Sequence, residues 1–119
     1  MSERRRSSRY PIDAPVRMEP LGGGLLQARA YSLAIGGLTV RSAAPLEPGR
    51  CVDVELQVPL SGGANRLQAR CRVTRCTVLN PGPGYRIGLV FERLNERTMA
   101  VLERYFSSQR RFSGGAEQS

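Results

Sequence analysis

Histidine, lysine and tryptophan are absent from this chain of 119 residues. Without histidine, imidazole acid–base catalysis and histidine metal ligation are excluded within the chain, and most familiar hydrolase designs go with them. Cysteine is scarce: Cys51, Cys71 and Cys76 form no C-x-x-C pair, and a three-thiolate zinc site would need a fourth ligand that no histidine supplies. Buried free thiols in a reducing cytoplasm are expected, with no metal bound. No apolar run approaches the length of a membrane-spanning helix. The apolar stretch of an export signal does not follow Arg4 and Arg5, because residues 7–20 contain Ser, Arg, Pro, Asp and Glu. A soluble cytoplasmic protein without membrane insertion is expected. Paired acids at a recognisable spacing and a phosphate-cradling glycine loop are also missing, so no catalytic constellation is assigned and an enzyme is not expected.

What the chain has in excess is arginine. Eighteen basic residues against ten acidic ones leave a formal charge of +8, which favours anionic partners: nucleotides, nucleic acid, an anionic lipid surface or an acidic protein. Every basic residue is arginine, a bias that selection for planar bidentate contacts produces and that codon usage in a GC-rich genome produces equally well. The length suits one hydrophobic core.

Residues 1–11 are polar and strongly basic, with Arg4, Arg5, Arg6 and Arg9 close together, and read as a flexible arm that orders on meeting a ligand. Residues 12–112 read as the folded domain and 113–119 as a disordered tail. Within the domain, short strand-like runs are separated by glycine and proline, the pattern of a small antiparallel barrel or sandwich. Val16 to Pro20 and Leu25 to Tyr31 flank Gly22-Gly23-Gly24, a hairpin signal, and Gly37 to Arg41 makes a third strand. In Cys51 to Val58 the residues Val52, Val54, Leu56 and Val58 share one face, with Asp53, Glu55 and Gln57 on the other. Leu67, Ala69, Cys71 and Val73 repeat that one-sided pattern, and after the turn Asn80-Pro81-Gly82-Pro83-Gly84 a sixth strand carries Tyr85, Ile87, Leu89 and Phe91. Asn95 then caps a helix to about Phe112, whose stripe Met99, Leu102, Tyr105 and Phe106 either closes an open barrel end or binds a partner.

The spacing Arg4-Arg5-x-x-x-Arg9 resembles the signature of the PilZ domain family, which pairs such an arm with an (Asp/Asn)-x-Ser-x-x-Gly segment. Ser32-x-Ala34-x-x-Gly37 is the nearest counterpart and matches in its glycine alone. The order of elements is similar too, as is Gly88-Leu89-Val90-Phe91 ahead of a helix. The resemblance implies an all-β fold, a six-stranded antiparallel β-barrel with a C-terminal helix. It implies cyclic di-GMP as the ligand, with no cofactor. Arg4, Arg5 and Arg9 would clasp guanine and phosphate groups, Ser32, Gly36 and Gly37 would line the other half of the site, and Arg6 holds a variable position. Gly36-Gly37 either makes a simple turn or lets a ligand approach the backbone. Ser32 offers a shorter, neutral group than the family's residue and Ala34 offers none. Both departures together weaken binding by about 2–4 kcal/mol, unless Arg29, Tyr31 or Arg41 faces the same surface.

Two functions follow from the resemblance. One is a cyclic di-GMP receptor that signals by ordering its arginine arm towards a downstream protein partner; the other is a degenerate adaptor that has lost the nucleotide and acts through protein contacts. Nucleic-acid binding through strand arginines such as Arg70 and Arg72 is not expected, because exposed aromatics for base stacking are not apparent.

Overall fold

The computed structural model describes residues 8–60 and 65–118, with residues 111–118 as backbone only. Its elements are β1 (Arg9–Pro20), β2 (Leu26–Ala34), β3 (Gly37–Ser42), β4 (Cys51–Gln57), β5 (Arg66–Val78), β6 (Tyr85–Arg93) and α1 (Glu96–Gln118). The strands close into a six-membered barrel in the order β1-β2-β3-β6-β5-β4, with every neighbouring pair antiparallel. This is the six-stranded antiparallel barrel with a C-terminal helix that the sequence pattern and the resemblance led one to expect.

Period-two alternation builds the wall. Ile12, Ala14, Val16 and Met18 of β1, Val52, Val54 and Leu56 of β4, and Leu67, Cys71 and Val73 of β5 all point inward and are buried. Burying a Val, Leu or Ile side chain contributes about 1.5–3 kcal/mol, so this inward set holds the barrel together. The tip between β1 and β2 is Gly22-Gly23-Gly24, with φ of 104°, 116° and 93°, values that a residue with a Cβ rarely adopts.

Three boundaries differ from expectation. β1 starts at Arg9 rather than Val16, so residues 9–11 belong to a strand and not to the arm. Pro11 and Pro15 obscured this, yet β4 pairs with β1 only from Val16 onward and the ladder to β2 shifts register between Pro11 and Ala14. Both prolines thus lie where one flank of the strand has no neighbour or the ladder is irregular, positions that tolerate a missing N–H. β5 continues past Thr74 to Val78, with a register shift between Val73 and Arg75. The helical backbone runs to Gln118, through the Gly114-Gly115 pair, instead of stopping near Phe112; propensity alone is a weak predictor of helix ends.

One end of the barrel gathers the starts of β1, β3 and β5 and the ends of β2, β4 and β6. Across that end lies α1. Asn95 caps it as expected, its Oδ1 accepting the Thr98 amide at 2.8 Å. Val101, Leu102, Tyr105 and Phe106 are buried in the same cluster as Leu33, Leu38 and Leu67, so the stripe closes the barrel. Met99 does not join it and is 40% exposed. The buried row runs instead through Thr98, whose hydroxyl donates to the Gln68 carbonyl at 3.1 Å, and recurs at positions 98, 101, 102, 105 and 106, one face of a 3.6-residue helix.

Candidate functional site

β2 and β3 are joined by Ile35 and Gly36, with Ala34 paired to Gly37. Gly37 is required by packing: a Cβ there would fall inside contact distance of the Leu89 carbonyl oxygen and lie 3.1 Å from the Val90 Cα. β6 thus approaches β3 too closely for any side chain. Gly36 is exposed, and a Cβ on it would meet nothing within 4 Å, while its carbonyl accepts the Phe91 amide at 2.8 Å.

The registers bring Arg9 and the Ser32–Gly37 segment to one outer face. Arg9 stands opposite Ala34, Pro11 opposite Ser32, and Ser32 opposite Thr39. Arg9 is exposed, and its Nη1 donates to Thr39 Oγ1 at 3.3 Å. Ala34 is only 5% exposed and adds no polar group. Arg4, Arg5 and Arg6 lie outside the described residues, so Arg9 is the arginine of the signature whose place is described. Thr39 was missed in the sequence reading; it lies two residues beyond Gly37 on the same strand face, and that period-two offset was the available signal.

The three residues weighed as substitutes are disposed differently. Arg29 holds Asp13 through a 2.6 Å ion pair, and the hydrogen bond and charge of Arg29 keep the Asp13 carboxyl below the usual aspartate range. Its guanidinium is therefore engaged. Arg41 is exposed and lies over the Tyr31 ring, 5.0 Å from its centroid. A register shift between Ala30 and Ser32 makes Tyr31 the extra residue of a bulge beside the site.

Next to Arg9, the chain is tied to the helix. The Tyr10 ring stacks on Phe106 with centroids 5.0 Å apart, Arg110 Nη1 reaches the Tyr10 hydroxyl at 3.5 Å, and the Tyr105 hydroxyl donates to the Pro11 carbonyl. Burial raises the Tyr105 pKa. Arg9 is thus followed directly by two residues held against α1.

On the far wall, a groove of about 840 Å³ runs over β1, β4 and β5. Its acids Asp53, Glu55 and Glu92 are each paired, with Arg70 at 2.9 Å, Arg66 at 3.5 Å and Arg72 at 3.1 Å, while Arg17 and Arg93 of its lining hold no carboxylate among the described residues. Arg70 and Arg72, the strand arginines considered for nucleic acid, are therefore both paired. Of the cysteines, only Cys71 is buried, and burial pushes its thiol up to about 12; Cys51 and Cys76 are half-buried, contrary to the expectation of three buried thiols. Among the described residues no helix is long and apolar enough to cross a membrane.

Among solved structures, the Bacillus subtilis inhibitor of motility MotI/DgrA superposes with a TM-score of 0.74 at 15% identity, over 85% of this chain and 49% of that one. The PilZ domain of Escherichia coli YcgR with c-di-GMP superposes with a TM-score of 0.68 at 16% identity, over 98% of both chains. YcgR from the same organism in complex with c-di-GMP gives 0.74 at 19% identity, over 97% of this chain and 50% of that one. This chain thus spans about half the length of MotI/DgrA and of YcgR. At such identities the likeness establishes the fold alone. No curated protein matches. The family model described as PilZ domain matches residues 3–108, from the arginine arm into α1. With nine-tenths of its length inside that match and a barrel of the same architecture, the chain belongs to the PilZ domain family.

Proposed function

We propose that the protein is a receptor for cyclic di-GMP that binds without catalysis. The observation that supports this most is the convergence of Arg9 with the Ser32–Gly37 hairpin on one outer face, joined by the Arg9–Thr39 hydrogen bond. Arg4 and Arg5 would complete the clasp, because guanidinium groups fork onto phosphate oxygens and onto the O6/N7 edge of guanine. Gly36 leaves an open approach at the hairpin, and Arg41 on Tyr31 offers a cation and a flat ring at its margin.

Signalling would follow from order. Immobilising each arm residue costs about 1–2 kcal/mol of backbone entropy, and bound anion contacts offset it. Since Tyr10 and Pro11 contact Phe106, Arg110 and Tyr105, an arm drawn onto the ligand would bias the surface around α1 for a protein partner. A second reading, an adaptor without nucleotide binding, draws on Ala34, which is buried and apolar, and on the short hydroxyl of Ser32.

Calorimetric titration with cyclic di-GMP, using GTP and linear diguanylate as controls, separates the two. The receptor reading expects saturable heat and at least a tenfold loss of affinity, about 1.4 kcal/mol, in Arg5→Ala or Arg9→Ala. No heat at millimolar ligand, with no amide shifts in residues 3–9, leaves the adaptor in its place.

A further inference from the structure

The face that carries Arg9 and Thr39 continues across β6 onto β5. Arg41 stands opposite Arg86, and Arg86 opposite Thr77. In the adjacent row, Thr39 stands opposite Gly88 and Gly88 opposite Arg75. Neighbouring strands are about 4.8 Å apart, so Thr39 and Arg75, two strands apart, are separated by about 9.6 Å across the sheet.

Arg41, Arg75 and Arg86 are all exposed, and no carboxylate among the described residues pairs with any of them. On the far wall, Arg66, Arg70 and Arg72 each hold an acid, and Arg17 and Arg93 are the cations there that pair with no described carboxylate. Like charges directly opposite each other on a sheet are destabilising; Arg41 faces Arg86 in this way, as Arg70 faces Arg93 on the far wall, but there Arg70 is bound to Asp53. Gly88 supplies an independent observation. With no side chain there, the backbone between Thr39 and Arg75 is low, the Thr74 hydroxyl lies against it and donates to the Gly88 carbonyl at 3.2 Å, and a Cβ would come within 3.2 Å of Thr74 Oγ1 and 3.7 Å of the Arg75 Cβ. The result is a shallow floor with cations on two sides, hydroxyls at Thr39 and Thr74, and the Tyr31 ring held beneath Arg41.

We infer that Arg41, Arg75 and Arg86 form a second anion-binding wall, which takes a phosphodiester group over Gly88 while Arg9 holds the ligand from the hairpin side. The inference rests on the receptor reading for the identity of the ligand and extends it to β5 and β6, which carry no residue of the Arg4–Arg9 and Ser32–Gly37 signature. A single ring suits a compact cyclic dinucleotide better than a strand of bases, which needs a series of stacking platforms. The wall also supplies charge-assisted contacts where Ser32 and Ala34 supply little.

The test is calorimetric titration of cyclic di-GMP into wild type, Arg75→Gln and Arg86→Gln, with Arg17→Gln removing the same charge from the far wall. Thermal melts verify that each exposed substitution leaves the barrel folded. Loss of a charge-assisted contact predicts about tenfold weaker binding for Arg75→Gln and Arg86→Gln, with Arg17→Gln within about twofold of wild type. Wild-type binding that neither substitution changes overturns the second wall and leaves the receptor reading intact. Equal weakening by Arg17→Gln also overturns it, since net charge then accounts for the effect. A wild type that binds no cyclic di-GMP removes both readings. If a single-stranded oligonucleotide binds more tightly and with the same dependence on Arg75 and Arg86, the face is a nucleic-acid surface and the inference fails.

Discussion

Replacing Gly37 by Ala separates packing from ligand contact at the β2–β3 hairpin. The new methyl group would lie inside van der Waals distance of the Leu89 carbonyl oxygen, 3.0 Å from its carbon and 3.1 Å from the Val90 Cα. All three are backbone atoms, so no rotamer change relieves the overlap and β3 must move away from β6. That movement opens the pairing of Gly37 with Val90 and the 2.8 Å bond from the Phe91 amide to the Gly36 carbonyl. Overpacking costs about 1–3 kcal/mol and one broken hydrogen bond about 0.5–1.5, a combined loss of about 1.5–4.5 kcal/mol. For a domain of this size each kcal/mol lowers Tm by roughly 3–6 °C. Gly36→Ala is the matched control. Its methyl group meets nothing within 4 Å and its φ is not positive, so stability should stay within about 0.5 kcal/mol of wild type or rise slightly. Urea denaturation followed by far-UV circular dichroism, with linear extrapolation, reads both variants. A Gly37→Ala protein as stable as wild type would refute the close-approach argument. Equal damage from Gly36→Ala would assign the requirement to the turn instead.

Three further outcomes are expected. Ser32→Asp with Ala34→Ser should tighten cyclic di-GMP binding, because a carboxylate accepts from guanine donors; unchanged calorimetric affinity in the folded double variant means that this hairpin does not face the ligand. Tyr105→Phe removes the hydroxyl that donates to Pro11 O and should cost about 0.5–1.5 kcal/mol in a urea melt, the net value of one hydrogen bond; a loss below about 0.3 kcal/mol shows that water replaces the bond. Asp13 and Asp53 both have pKa values lowered by their arginine partners. Their contribution to stability is complete above the unfolded aspartate pKa of about 3.9 and is lost as pH falls through the lower folded values. Tm should therefore be level from pH 8 to 5 on this account and decline modestly below about 4, the effect being small because both pairs are exposed; a Tm that rises on acidification contradicts the assignment.

Local chemistry alone determined most of the barrel. The alternation Val52-Asp53-Val54-Glu55-Leu56 can bury only one face in any fold, the three glycines at 22–24 can serve only as a turn, and Asn95 ahead of Glu96 offers the oxygen that a helix start requires. The spacing of Arg4, Arg5 and Arg9, taken with the order of elements and Gly88-Leu89-Val90-Phe91 ahead of a helix, pointed to the family. Other features depended on which strands became neighbours. β1 extends back to Arg9 because Tyr10 finds Phe106 and Pro11 accepts from Tyr105, partners 94 and more residues away in sequence. Gly37 is demanded by the backbone of Leu89, Arg29 is engaged by Asp13, and arginines 41, 75 and 86, which hold no carboxylate among the described residues, share a face only through the β3–β6–β5 registers. A period-two pattern states which side of its own strand a residue takes, but which residue stands across from it is decided by the closure of the barrel, where one register satisfies every inward side chain at once.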